Sequence, residues 1–349
     1  MLVYWALFAY FAVGAIFAAS SADKNTREPN VLYSFGAVAT AILIGLRYKV
    51  GGDWNTYTFI YHRAGQLPLS DALSIGDPGY QAVNWFAYQL GADVWLVNLI
   101  CGTIFVWGLF RLCRTQPAPW LSLLVAIPYM VIVIAMGYTR QAVALGILMA
   151  GSAAFIRGAS LLRFALYVVV AALFHKTAVI GFPLVALATQ RNKLTNLLLV
   201  AAGGIALYDA FLGDAMDHFV QNYIKTHYSS EGAAVRILMN MVATIIFWTA
   251  RERLQFSSLE WKIWRNFSFA SIISLILLVL IPSSAAIDRI SLYLIPFQIA
   301  VIARTQFIFM ARAFGTALVI TYCFAVELVW LDFAQFAWLW IPYRLFPFS

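Results

Sequence analysis

The chain has 349 residues, 63% of them hydrophobic and only 11% charged, against roughly 25% charged in soluble domains. No water-soluble globule hides that much apolar surface, so lipid is the main solvent and a soluble enzyme is excluded. The apolar residues come in long continuous runs, which reads as an all-α polytopic membrane protein rather than a barrel, and the net charge of +8 is distributed as membrane topology demands rather than as nucleic-acid binding would.

In chain order, hydropathy gives about twelve spans, several shorter than the ideal of roughly 20 residues. They lie at 1–20, 31–46, 92–110, 119–136, 140–156, 161–174, 176–189, 195–212, 233–250, 267–282, 288–303 and 313–330. The first, Met1 to Ser20, lacks the basic n-region of a secretory signal and reads as a retained helix. Cys101, Cys113 and Cys323 have neither metal-ligand nor CxxC spacing, and no metal site follows from them. No linker divides the chain, so residues 1–349 read as one integral membrane domain.

Most of the 23 Lys and Arg, from Lys24 and Arg27 through Arg111, Arg114, Arg157 and Arg163 to Arg304 and Arg312, fall on one set of alternate loops. By the positive-inside rule that face is cytoplasmic and both termini lie outside. The cations on the other face, including Arg47, Lys49, Arg140, Lys176, Arg236 and Arg289, run against the trend and need another reason. Two polar outer segments, 47–91 and 213–232, are expected as loops over a site. The aromatic tail Phe333 to Phe348 is expected to lie flat on the outer leaflet.

The densest polar stretch is Arg47-Tyr48-Lys49-Val50-Gly51-Gly52-Asp53-Trp54-Asn55-Thr56-Tyr57. Gly51-Gly52 permits a tight turn. Asp53 then stands at a helix N-cap position, with Tyr57 and Tyr61 on the same face at i+4 and i+8. Either Asp53 caps while Arg47 and Lys49 snorkel to lipid phosphates, or the group forms a pyrophosphate and sugar site. In the second case Arg47 and Lys49 meet phosphate, Tyr57 meets sugar and Asp53 is a base. Arg140-Gln141 opens the fifth span after a tight turn. A guanidinium there costs about 2.5–3.5 kcal/mol if it faces hydrocarbon, which argues for a partner.

His175-Lys176 joins two short apolar runs and reads as cavity lining, with His175 a proton acceptor or a structural residue. Asp288-Arg289, with Tyr293 one turn on, either pairs with other helices for assembly or adds a guanidinium to the same hollow. No nucleotide-binding or zinc motif is present.

Taken together these motifs resemble a family. Arg47, Gly51, Asp53 and Tyr57 fit R-x-x-x-G-x-D-x-x-x-Y. Tyr138 to Ala144 is similar to R-Q-x-x-A and its flanks, Leu173 to Ala178 to F-H-K-[ST]-A, and Asp288-Arg289 with Tyr293 to [DS]-R-x-x-x-Y. This is the pattern of EpsG-like exopolysaccharide polymerases, relatives of the Wzy O-antigen polymerases. The resemblance implies a multi-pass GT-C-like glycosyltransferase of the bacterial inner membrane, with its active site facing the periplasm and with no metal or cofactor. Its donor would be an undecaprenyl-diphosphate-linked glycan and its acceptor a lipid-linked repeat unit. Membrane lipids and a chain-length regulator are further candidate partners; nucleic acid is not.

In that reading Arg47, Arg140, Arg289 and Lys176 stabilise the departing diphosphate, and Asp53 or His175 takes the acceptor's proton. Lys49, Tyr57, Gln141, Asp288 and Tyr293 complete the substrate contacts. The alternatives are a flippase or exporter of the same lipid-linked sugar, or a ligase-type transferase.

Overall fold

The computed structural model describes residues 1–20, 30–189, 201, 203–205, 232–280 and 284–348. Among these the regular structure is entirely helical, and a single isolated bridge joins Arg47 to Leu345. Six helical segments are long and apolar enough to cross a membrane: Leu2–Ser20, Val94–Cys113, Thr139–Ile156, Ser258–Leu280, Ile287–Phe307 and Arg312–Phe333. Five shorter apolar helices accompany them: Val31–Gly45, Pro119–Ala135, Leu161–Phe174, Lys176–Ala186 and Ala233–Thr249. The chain is therefore a helical membrane protein. Backbone groups in hydrocarbon must be satisfied within the segment, and helices do so. The expected span at 195–212 lies almost wholly outside the described residues, as does the segment 213–232 up to Gly232.

The helices run α1 (Leu2–Ser20), α2 (Asn30–Gly45), α3 (Trp54–Gly65), α4 (Leu69–Ser74), α5 (Pro78–Gln89) and α6 (Val94–Cys113). Then come α7 (Pro119–Ala126), which continues as a π-helix over Ile127–Ala135, α8 (Thr139–Ile156), α9 (Leu161–Phe174) and α10 (Gly181–Ala186). The last are α11 (Ala233–Thr249), α12 (Ser258–Leu280), α13 (Ser284–Ser291), α14 (Ile295–Ile302) and α15 (Arg312–Leu328). The outer segment 47–91, expected as a loop, is three helices. Tyr57, Tyr61 and Tyr80 bury their rings inside it, and that burial stabilises helices too polar to span.

Two spans form the centre. In the apolar 18-residue stretches of Thr139–Ile156 and Ile287–Phe307, 89% of residues are buried, against 33% in those of Leu2–Ser20, Ser258–Leu280 and Arg312–Phe333. The centre is tight because α6 and α8 cross at glycines: a Cβ on Gly108 would sit 1.7 Å from the Gly146 carbonyl oxygen. In lipid, where burial alone does not drive helices together, such close approach lets backbones pack directly.

The tail, expected to lie on the outer leaflet, is bonded to the protein itself. Residues 339–346 fold back as a strap: Gly51 N–H donates to the Leu339 carbonyl (2.9 Å), Tyr48 N–H to Arg344 (2.9 Å), and Phe346 N–H to Leu46 (2.8 Å). Trp340 is buried, with its indole N–H on the Ile132 carbonyl of the π-helix and its own carbonyl accepting from Tyr4. Tertiary pairing of these backbone groups outweighs the interfacial preference of the tail's aromatics, although Trp338 and Phe348 remain exposed.

Candidate active site

The polar residues gather where the two central spans begin. Arg140 and Gln141 open α8, while Asp288 and Arg289 lie on α13 and Tyr293 just beyond it. The loop before α3 is pressed against this end. Gly51 has φ +103°, and a Cβ there would lie 2.3 Å from the Met136 carbonyl oxygen, so only glycine fits the turn.

Two aspartates that follow then behave unusually. Asp53 precedes α3 and Asp77 precedes α5, both in N-cap positions, and neither side chain accepts a capping hydrogen bond. Asp93 and Ser160, at the starts of α6 and α9, do cap, accepting from the N–H groups of Val94 and Arg163. A forgone cap costs about 0.5–2 kcal/mol, so the carboxylates of Asp53 and Asp77 are held elsewhere.

Asp77 meets Arg140: Nη1 donates to Oδ2 at 3.0 Å. Burial raises the Asp77 carboxyl above its usual range, and Arg140, then the backbone N–H and ammonium of Lys176, pull it back. Burial likewise raises Asp53, opposed first by Arg289 and then by Arg140. The Tyr57 hydroxyl also contacts the Arg140 guanidinium. Arg140 Nε is buried with no partner among the described residues. Asp53, Tyr57, Asp77, Arg140, Lys176 and Arg289 are therefore one cluster.

Behind it, Thr177 Oγ1 lies 3.1 Å from His175 Nδ1 and 3.3 Å from the Tyr293 hydroxyl, so His175 and Tyr293 form the adjoining wall. His175 itself is extended (φ −157°, ψ 111°), breaking α9 from the 3₁₀ turn at Lys176–Ile180. The Gln141 side-chain amide donates to the Arg289 carbonyl at 2.7 Å. Gln141 therefore fixes the backbone that carries Arg289.

Other expected site residues lie apart from this cluster. Arg47 is 1% exposed. Its guanidinium donates to the Ile44 carbonyl, to Asn98 Oδ1 (3.0 Å) and to Thr139 Oγ1 (2.7 Å). It closes the end of α2 and ties it to α6 and, through Thr139, to the start of α8 next to Arg140 in sequence. A buried cation so surrounded braces the start of α8 and does not meet phosphate in this arrangement. Lys49 is exposed in a left-handed turn (φ 52°), its ammonium 5.2 Å from the Tyr48 ring centre. Asp288 forms a buried ion pair with Arg236 of α11 at 2.9 Å, with Tyr138 beside the guanidinium. That pair assembles the wall on which Arg289 stands.

Asp77, Arg236, Asn98 and Thr177 escaped the sequence reading as site residues. Asp77 carried a signal, the Asp-Pro step within a polar outer segment, and so did Asn98, a polar residue inside an apolar run.

The chain matches the EpsG family over residues 30–345, a range that takes in every residue of the cluster. No curated protein and no solved structure gave a match. The chain belongs to the EpsG family, which implies a polysaccharide-polymerase-like role for this membrane protein.

Proposed function

We propose that the protein is a GT-C-type polysaccharide polymerase that crosses the bacterial inner membrane about twelve times, with the cluster around Arg140 open to the periplasm. It transfers the glycan of an undecaprenyl-diphosphate-linked donor to a hydroxyl of a lipid-linked repeat unit, without a metal. The observation that carries this reading is the pair of cap positions at Asp53 and Asp77, whose carboxylates face Arg140 and Arg289 instead of their own helices.

The acceptor oxygen attacks the donor's anomeric carbon as the bond from that carbon to the diphosphate oxygen breaks. The acceptor's proton passes to Asp53, whose carboxylate is not engaged in capping; His175, held by Thr177, is the second candidate. Charge grows on the leaving diphosphate, and Arg140, Arg289 and Lys176 stabilise it there. Preorganised cations in a water-poor site are worth more than in solvent. Diphosphate leaves readily once neutralised, so positioning is the larger demand.

A flippase would need polar groups along a path through the bilayer. The unusual charges instead sit at one end of the helices, which supports chemistry on one side. Purified protein given a lipid-linked repeat unit should build longer chains. Arg140→Ala should slow polymerisation by about 10²-fold or more, the scale of losing one charge-stabilising donor. Wild-type chain lengths from Arg140→Ala at equal protein level would overturn the proposal.

A further inference from the structure

A groove of about 700 Å³ opens along the outside of the bundle between α6, α8 and α9. Its lining is apolar, with Trp107 from α6, Ile147 from α8, and Leu166, Val170 and Phe174 from α9. Three of these are well exposed: Trp107 at 42%, Leu166 at 58% and Val170 at 45%. Both helical walls climb to the candidate active site. Phe174 is followed directly by His175 and Lys176, and Ile147 lies two turns along α8 from Arg140, about 10 Å at 1.5 Å per residue. The groove extends down α9 from Phe174 to Arg163, about 16 Å on the same rise. That covers nearly the whole of α9. A second groove, about 350 Å³ between α2 and α6, runs instead toward Arg111 and Arg114.

We infer that the α6–α8–α9 groove holds the polyisoprenyl tail of the lipid-linked substrate whose diphosphate sits at Arg140 and Lys176. The inference rests on the proposed function and adds where the lipid enters. A diphosphate on the cluster leaves its tail to bulk lipid or to this groove, and the groove shares its walls with the head-group site. Burying a chain there removes the exposed faces of Leu166 and Val170 from competing lipid and fixes the anomeric carbon against Asp53. Recognition then reads the head group and the first isoprene units together, which separates this substrate from ordinary phospholipids carrying phosphate alone.

The test uses the full chain in nanodiscs of phosphatidylethanolamine and phosphatidylglycerol. The probe is a polyprenyl diphosphate with a diazirine midway along its isoprenoid chain. After irradiation, adducts should map to Trp107, Leu166 and Val170. A tenfold excess of unlabelled polyprenyl diphosphate should cut labelling by about an order of magnitude, as mass action requires, while extra phosphatidylglycerol should leave it unchanged. Leu166→Trp and Val170→Trp, which fill the groove from exposed positions and so leave folding intact, should abolish labelling. Leu162→Trp, on the same helix and 74% exposed outside the groove, should not.

Adducts spread around the bundle, or displaced equally by phosphatidylglycerol, would mean that common bilayer lipid fills the groove and would overturn the inference. Labelling requires no polymer. Groove adducts without chain growth would therefore count against the proposed function alone, and chain growth without groove adducts against the inference alone.

Discussion

Asp53 and Asp77 share a position in the chain but not a partner. Asp77 is engaged by Arg140 at 3.0 Å, whereas Asp53 feels Arg289 and Arg140 without a capping bond of its own. Under the proposed function, that division assigns the base to Asp53 and the aiming of Arg140 to Asp77. A consequence for pH follows. Burial lifts the Asp53 carboxyl above the ordinary value near 3.9, and activity that needs its ionised form is lost as pH falls through that raised value. Arg289 opposes the lift, so Arg289→Gln should move the acid limb of kcat/KM to higher pH, besides lowering the rate. An unmoved limb in the variant's pH–rate profile would remove Asp53 from the role of base. At this scale the sequence carried the residue types but not their directions. Arg47 and Arg140 look alike as basic residues at span ends. One is enclosed by Ile44, Asn98 and Thr139, and the other faces the cluster. Only tertiary packing separates them.

The elements were more legible, because long apolar runs allow little else in lipid. The differences have local causes. Helix α12 begins at Ser258, well before the apolar run at 267, because a helix continues past the bilayer edge where Trp261 and Lys262 suit the interface. The polar segment 47–91 folds as helices because its tyrosines pack on one another, Tyr57 against Tyr80 at 5.8 Å and Tyr61 against Tyr88 at 5.5 Å; hydropathy averages do not register such pairs. The α6–α8 crossing depends on Gly108 facing the Gly146 backbone. Gly108→Val should force these helices apart, costing about 1–3 kcal/mol as overpacked cores do. It should lower the melting temperature in detergent and weaken polymerisation by spreading Asn98 and Thr139 around Arg47. A variant melting with the wild type would contradict the close crossing.

At the scale of the whole molecule, buried charge among the described residues is not confined to the site end. Glu327 is buried on α15, and a second knot joins Arg304 to Glu260, with Arg304 also donating to Gln116 and to the carbonyls of Leu254 and Gln255. This second knot lies far from the cluster in the chain's topology and binds α12 to α14 and the turn after α11. Glu260→Gln leaves a buried guanidinium short of its counter-charge, a change that costs about 3–5 kcal/mol where buried pairs are broken. The expected outcome is lower thermal stability with an unaltered pH–rate profile for the enzyme that remains folded. A shifted profile would mean that the two ends communicate.

The strap at 339–346 bears on how this protein is made. Gly51, Tyr48 and Leu46 receive their backbone partners from residues synthesised almost a whole polypeptide later. The turn that aims Asp53 stays unfinished while the nascent chain threads the insertion machinery, so competence arrives late and all at once, and a translation product halted before the strap should reside in the bilayer yet remain inert.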